Sequence, residues 1–141
     1  MRLATVEDMD EVLRMAEAFV GALKIEVGFD ELSCAKTALN LMNDVNSVVL
    51  LDDGAMIGGI VYPHFFNHNV LMAQELLWWC DPAKRGSGSA RRLWDAFESW
   101  AVSRGAKHVS MISLADMKSV AKLYERRGYK PLETTWVKAW Q

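Results

Sequence analysis

The sequence predicts one domain of mixed α/β or α+β class, with helices and strands layered about a single sheet. Three observations predict it. Segments with apolar residues at helical spacing alternate with short β-branched runs. An Asp53-Gly54 pair joins two of those runs as an antiparallel hairpin. A longer strand-like run then enters a Gly/Ser loop that opens straight into another helix-period segment. The 141 residues suit one domain spanning 1–141. A chain of this length buries about two thirds of its unfolded surface and needs no disulfide or metal for a core.

Taken in order, Arg2-Leu3-Ala4 reads as a brief strand. Thr5 suits a helix cap, with Asp8 three residues on. Met9, Val12, Leu13, Ala16, Phe19 and Val20 then recur at helical spacing, with Gly21 near the stop. Ser33 is placed to cap a second helix carrying Ala38, Leu39 and Met42. Residues 47–51 are a short β-branched strand and residues 55–62 its return, ended by Pro63. His64-Phe65-Phe66-Asn67-His68-Asn69 reads as a polar–aromatic loop lining an acceptor pocket or a subunit contact. Residues 70–80 form a longer apolar strand that Asp81-Pro82 terminates. Residues 89–104 form a helix with Leu93, Phe97, Trp100 and Ala101 on one face, stopped by Gly105. Residues 108–113 read as a strand, 117–127 as a helix ended by Gly128, and 134–140 as a weakly alternating last strand.

Composition excludes several classes. At 51% hydrophobic and 24% charged, the chain is neither disordered, collagen-like nor a coiled coil. No apolar run reaches the ~18 residues of a membrane span, and the first ten residues carry no signal-peptide core. Cys34 and Cys80 form no CxxC pair and read as reduced thiols, so a cytoplasmic protein is expected. His64-x-x-x-His68 has no third ligand, so no metal site is expected. Net charge is −2, with −7 over residues 1–70 and +5 over residues 71–141. An anionic ligand is therefore expected on the second half, while nucleic acid is disfavoured because no known motif is present and the net charge is negative. The aromatic content leaves room for a homodimer.

The chemistry concentrates at Cys80-Asp81-Pro82-Ala83-Lys84-Arg85-Gly86-Ser87-Gly88-Ser89-Ala90-Arg91-Arg92. A strand ends, a Gly/Ser loop follows and a helix opens. The free N–H groups of that helix start, with the helix dipole, make an anion site. Glycines let the backbone approach a phosphate, and Lys84, Arg85, Arg91 and Arg92 add positive charge. A Walker loop is rejected because Ser89-Ala90 follows Gly88 where Lys is needed. A dinucleotide fingerprint is rejected because Arg91 holds its third glycine position.

Arg85-Gly86-Ser87-Gly88-Ser89-Ala90 resembles the Arg/Gln-x-x-Gly-x-Gly/Ala motif of the GNAT family of N-acetyltransferases. Leu123-Tyr124-Glu125-Arg126-Arg127-Gly128-Tyr129 is similar to that family's Leu-Tyr-Glu-x-x-Gly-Phe/Tyr segment, and the element order agrees along the chain. Residues 59–63, Glu75-Leu76-Leu77-Trp78-Trp79 and Trp100-Ala101 resemble short members encoded by phages and prophages. The resemblance implies a mixed, split sheet with helices on both faces. It also implies acetyl transfer from acetyl-CoA to an amine, a small molecule or a protein, by direct attack in a ternary complex. Arg85, Gly86, Ser87, Gly88, Ser89 and Ala90 would hold the pyrophosphate. The backbone of Trp78, Trp79 and Cys80 would pair with the pantetheine arm like an added strand. Tyr124 would protonate the departing thiolate; its plain alternative is a core aromatic with a satisfied hydroxyl.

Glu75 lies in an apolar run, where a carboxylate needs a partner or a purpose. Desolvation would raise its pKa into a useful range for a base, the role the resemblance implies; the alternative is a structural carboxylate. Where the family often has Asn, three residues before Ala121, this chain has Lys118, and the resemblance then implies that the lysine would contact a CoA phosphate instead. The acidic first half, placed by the resemblance at the acceptor site, favours a cationic amine. The rival readings are a CoA-binding regulatory or assembly protein without catalysis, and an interaction module using the basic half.

Overall fold

The computed structural model describes residues 1–24, 26–114 and 117–140. Thr5 and Asp8 open the first helix as their spacing predicts, the Thr5 amide donating to Asp8 Oδ2 at 2.8 Å. One 3-10 turn at Val6–Asp8 leads into α1, Met9–Ala22. α2 spans Glu31–Asn43, and its cap is Asp30, not Ser33. The Asp30 carboxylate accepts the Ser33 N–H at 2.8 Å, where its charge also meets the positive end of the helix dipole. α3 spans Ser89–Ser103 and α4 Lys118–Arg126.

The sheet contains β1 Arg2–Leu3, β2 Ser47–Asp52, β3 Ala55–His64, β4 Asn67–Cys80 and β5 Ala106–Ser110, in that spatial order. The first three pairings are antiparallel, and β4–β5 is parallel. A parallel pair needs a crossover, which α3 supplies. The mixed sheet with flanking helices is the fold class the sequence predicts.

Three local readings are corrected. Pro63 does not end its strand: β3 runs on to His64, with a register shift between the two that accommodates the missing N–H. Residues 64–69 are largely hairpin, because β4 begins at Asn67, leaving Phe65 and Phe66 exposed at the tip. Residues 134–140 form no strand, since their backbone pairs with nothing among the described residues.

Strand alternation builds two cores. Val48, Leu50, Ala55 and Ile57 pack with Leu93, Phe97 and Ala101 of α3. Val49, Leu51 and Met56 pack on the other face with Val12, Met15 and Ala16 of α1 and Ala38 of α2. β2 is thus apolar without a break because both of its faces are covered. Leu93 and Phe97 are fully buried, each contributing about 1.5–3 kcal/mol of burial energy.

Two irregularities shape β4. Gly58 faces Leu77 but Gly59 faces Glu75, so Leu76 is an extra, bulged residue. β5 then pairs only with residues Leu71 to Gln74, so from Glu75 to Cys80 strand β4 is held on its β3 side alone. This is the split in the sheet. Gly59 is required beside the bulge, because a Cβ there would run into the Phe97 ring and the Gln74 carbonyl oxygen. Gly59→Ala is therefore expected to destabilise the fold by about 2–3 kcal/mol, since the backbone oxygen cannot yield. Denaturant unfolding checks this, and an unchanged midpoint would contradict the packing described.

Candidate active site

The split places Glu75 where β4 loses its neighbour. Its side chain is 2% exposed, and Oε2 accepts the Ile112 N–H at 2.8 Å. Burial pushes its pKa up to about 7, an effect the Ile112 N–H partly opposes by stabilising the anion. Tyr124, on α4, donates its hydroxyl to the carbonyl oxygen of the same Ile112 at 2.8 Å. The backbone of one residue just past β5 therefore holds both groups that the sequence singled out. The Tyr124 pKa rises above the ordinary phenol value, through burial first and the nearby Glu75 charge second.

An aromatic cluster fixes Tyr124. Trp78 stacks on it with centroids 6.2 Å apart, Trp94 meets it edge-on at 5.3 Å, and Tyr129 lies at 5.8 Å. Arg127 clamps the end of α4 to α3: its guanidinium covers Trp94 at 4.2 Å and pairs with Asp95 and Glu98. The Tyr129 hydroxyl also donates to Glu98, at 2.7 Å. Sequence reasoning assigned no role to Ile112, Trp94, Arg127 or Tyr129, although Arg127 lay within the quoted Leu123–Tyr129 motif. Ile112 acts through backbone atoms, which no residue type signals. Tyr129 was within the quoted motif and was the available clue.

The loop between β4 and α3 starts with a 3-10 turn, Pro82–Lys84. Gly86 and Gly88 both take left-handed backbone, at φ 88° and 91°, and Gly88 precedes the first residue of α3. The amides of Gly86, Gly88, Ala90 and Arg91 have no hydrogen-bond partner among the described residues, and a Cβ built on Gly86 meets nothing within 4 Å. This is an open cradle of backbone donors at a helix start, of the kind that suits an anion.

The side chains here do different work from what their types suggest. Ser89 is buried and its Oγ bonds Ser87 Oγ at 3.1 Å. Cys80 Sγ lies 3.8 Å from the same Ser89 Oγ. The Trp78 indole donates to the Ala90 carbonyl at 3.2 Å and so ties β4 to α3. The Trp79 indole donates to Asp81 at 2.9 Å, and Asp81 pairs with Arg14 of α1 at 2.6 Å.

The cations of the loop are largely committed. Lys84 pairs with Asp53 of the β2–β3 turn at 2.7 Å, and Arg92 with Asp52, the last residue of β2, at 2.7 Å. Arg85 Nε donates to the Cys80 carbonyl at 3.1 Å, and its guanidinium lies 5.4 Å over Trp79. Among the described residues the exposed Arg91 side chain has no ion pair or hydrogen bond, and Lys118, also exposed, bonds none of the loop residues. The anion site therefore rests mainly on amides and the α3 dipole.

Two surface concavities, of about 350 and 340 Å³, lie elsewhere and include neither Glu75 nor Tyr124. The first is lined by Asp10, Glu17, Phe29 and Glu31 among others, at the acidic end of α1 and α2. The candidate site is instead an open strand edge leading into a loop. Among the described residues no cluster of three His, Cys, Asp or Glu side chains converges, and no helix is long and apolar enough to cross a membrane.

No curated protein matches the chain closely enough to count as a relative. Solved structures do match its fold. A transcriptional regulator from Bacillus halodurans is 16% identical with a TM-score of 0.79, covering 99% of this chain and 97% of that one. The structure of AAC(6')-Iy in complex with a bisubstrate analog, CoA-S-monomethyl-acetylneamine, is 12% identical with a TM-score of 0.77, covering 99% and 96%. A predicted acetyltransferase from Clostridium acetobutylicum, with acetyl-CoA, is 16% identical with a TM-score of 0.75, covering 98% and 93%. The model of the Acetyltransferase (GNAT) family matches residues 11–129, nearly the whole of both cores and the site between them. The chain belongs to the GNAT acetyltransferase family.

Proposed function

We propose that this chain is an acetyl-CoA-dependent N-acetyltransferase that acts on an amine acceptor by direct attack in a ternary complex. The observation that carries this reading is the convergence of Glu75 and Tyr124 on Ile112, at the point where β4 parts from β5. The cradle fits a pyrophosphate because its amides are free and left-handed Gly86 leaves open space where a side chain would stand. Gly86, Gly88, Ala90 and Arg91 would hold the phosphates through N–H groups, with Arg85, Ser87 and Ser89 shaping the loop. The side of Trp78, Trp79 and Cys80 that faces away from β3 would take the pantetheine arm as an added strand, with Arg85 releasing the Cys80 carbonyl. Acetyl-CoA supplies a thioester whose carbonyl the amine attacks. Lys118 remains a candidate for phosphate contact from the first turn of α4. The likeness to short phage-encoded members and a cytoplasmic setting, where acetyl-CoA is made, belong to the same proposal.

Glu75 takes the proton of the attacking amine, a task suited to a carboxyl group that titrates near neutral pH. Tyr124 stays protonated in the resting chain and supplies the proton for the leaving thiolate. The two steps are coupled by charge. Once Glu75 is neutral it no longer opposes ionisation of Tyr124, which becomes the better acid at that moment. In the free chain the Tyr124 proton is committed to the Ile112 carbonyl, so donation requires the hydroxyl to turn away from it. That same bond favours a second reading, a CoA-binding regulatory protein in which Tyr124 is structural.

Gly88→Glu places bulk and negative charge in the cradle. It is expected to weaken acetyl-CoA binding at least 100-fold by calorimetric titration with an unchanged circular dichroism spectrum, about 3 kcal/mol. Binding undiminished in the folded variant would remove the cradle. Glu75→Gln is expected to lower kcat/KM and to remove its fall below about pH 7. In the folded state Glu75 holds its proton more tightly than in the unfolded chain. Its stabilising contribution is therefore complete below the ordinary glutamate range and is lost as pH rises through about 7. The variant lacks this trend, and a wild type whose rate and stability track the variant across pH would contradict both roles. Tyr124→Phe is expected to keep acetyl-CoA affinity while kcat drops ten-fold or more. Full turnover accompanied only by a stability loss of about 1 kcal/mol would make Tyr124 structural and remove it as the acid, whereas a wild type that binds acetyl-CoA and acetylates no amine would select the regulatory reading.

A further inference from the structure

α4 is short and thinly packed for a helix that carries Tyr124. It has nine residues, fewer than a helix needs to persist in water without packing. Tyr124 is its buried residue, whereas Leu123 is 43% exposed and Lys118, Lys122, Glu125 and Arg126 face solvent. Apolar burial alone therefore gives this helix a weak hold on the rest of the fold. Arg127, the first residue past α4, reaches back to α3 instead. Its guanidinium lies 4.2 Å over the Trp94 ring, pairs with Glu98 at 2.9 Å and also pairs with Asp95. Asp95 and Glu98 are three residues apart on α3, so both carboxylates stand on one helix face beside that ring.

We propose that Arg127 is the positioning residue for Tyr124: its clamp on Trp94, Asp95 and Glu98, more than apolar packing of α4, keeps the Tyr124 hydroxyl at the Ile112 carbonyl beside Glu75. Its effect on turnover rests on the acetyltransferase reading; its effect on α4 does not.

The contacts run without a gap from the charge to the hydroxyl. Trp94 is 2% exposed and meets Tyr124 edge-on at 5.3 Å. Trp78 stacks on Tyr124 and is itself tied to α3 by its indole bond to the Ala90 carbonyl. The Tyr124 ring is thus held by two rings anchored on α3. A half-buried guanidinium is screened less than one on open surface, so both its ion pairs and its contact with Trp94 are strengthened. Glu98 holds the end of α4 a second time, because it accepts the Tyr129 hydroxyl at 2.7 Å while the Tyr129 amide donates to the Tyr124 carbonyl at 3.0 Å. The positive charge past the last turn also meets the negative end of the α4 dipole. With the ring held, the hydroxyl oxygen stays in place, and rotation of its O–H bond is enough to carry the proton from the Ile112 carbonyl to a leaving thiolate.

Hydrogen exchange and steady-state kinetics test this on the full chain, in Arg127→Met, Arg127→Lys, Glu98→Gln and the control Arg126→Met. Methionine keeps the apolar length of the side chain and removes its charge. Arg126 gives up the same charge at the same helix end, without an ion pair among the described residues. In Arg127→Met the amides of Lys118–Arg126 are expected to exchange about ten times faster or more, while those of β4 and α3 keep their rates. With spermidine or another primary amine that the wild type acetylates, kcat is expected to fall about five-fold or more at unchanged KM for acetyl-CoA. Arg127→Lys restores part of both, and Arg127→Met with Glu98→Gln is no worse than Arg127→Met, since the two break one contact. Exchange of α4 that is unaltered in Arg127→Met, or equally fast in Arg126→Met, would overturn the proposal. So would full kcat in Arg127→Met when Tyr124→Phe is slow. Exchange needs no substrate, so a wild type that acetylates nothing would remove the proposed reaction and leave the clamp to be decided by the α4 amides. If Arg127→Met fails to fold, Glu98→Gln carries the same exchange test with the same two outcomes.

Discussion

A carboxyl group sealed from water must be given a hydrogen bond or be neutral, and Glu75 is held at the balance between the two. The Ile112 N–H supplies the bond, while burial keeps the proton within reach of neutral pH. That arrangement depends on β5 ending its ladder at Ser110. Had the two strands stayed paired to Cys80, Ile112 would be committed to the sheet and the second half of β4 would have no open edge. The bulge at Leu76, the small Gly59 opposite Glu75 and the Phe97 ring beneath it all serve the same local geometry.

The cradle follows a related economy. Three carboxylates tie up the charges around it: Asp52 pairs with Arg92, Asp53 with Lys84, and Asp81 of the loop with Arg14 of α1. These pairs are mostly exposed and add little to stability individually. Their consequence is positional, because they fasten the β2–β3 turn and α1 to the loop. Attraction for an anion is left to backbone amides and the α3 dipole, whose direction is set by the fold and not by flexible side chains.

Much of the fold was legible in the sequence. The spacing of Leu93, Phe97 and Ala101 marked the buried face of α3, and Asp53-Gly54 marked the hairpin because few other pairs accept that turn. The glycine loop was legible for the same stereochemical reason, and Glu75 stood out as a charge in an apolar run. Other features were not. Ser33 and Asp30 are both good caps, and only the structure shows which carries the helix. Pro63 reads as a terminator until the register shift beside it is seen. Ile112 carries no signal because its contribution is its peptide groups. Residues 134–140 have strand composition but pair with no strand among the described residues, since composition alone does not choose a partner.

The account centres on one carboxyl group, so the most direct measurement is its titration. Carbon-13 NMR of the glutamate side-chain carboxyls, with Glu75→Gln to assign the resonance, gives the Glu75 midpoint without any activity assay. The expected midpoint is about 7. A midpoint in the ordinary range, about 4.3, would mean that Glu75 is solvated, and would contradict the buried site on which the proposed chemistry depends.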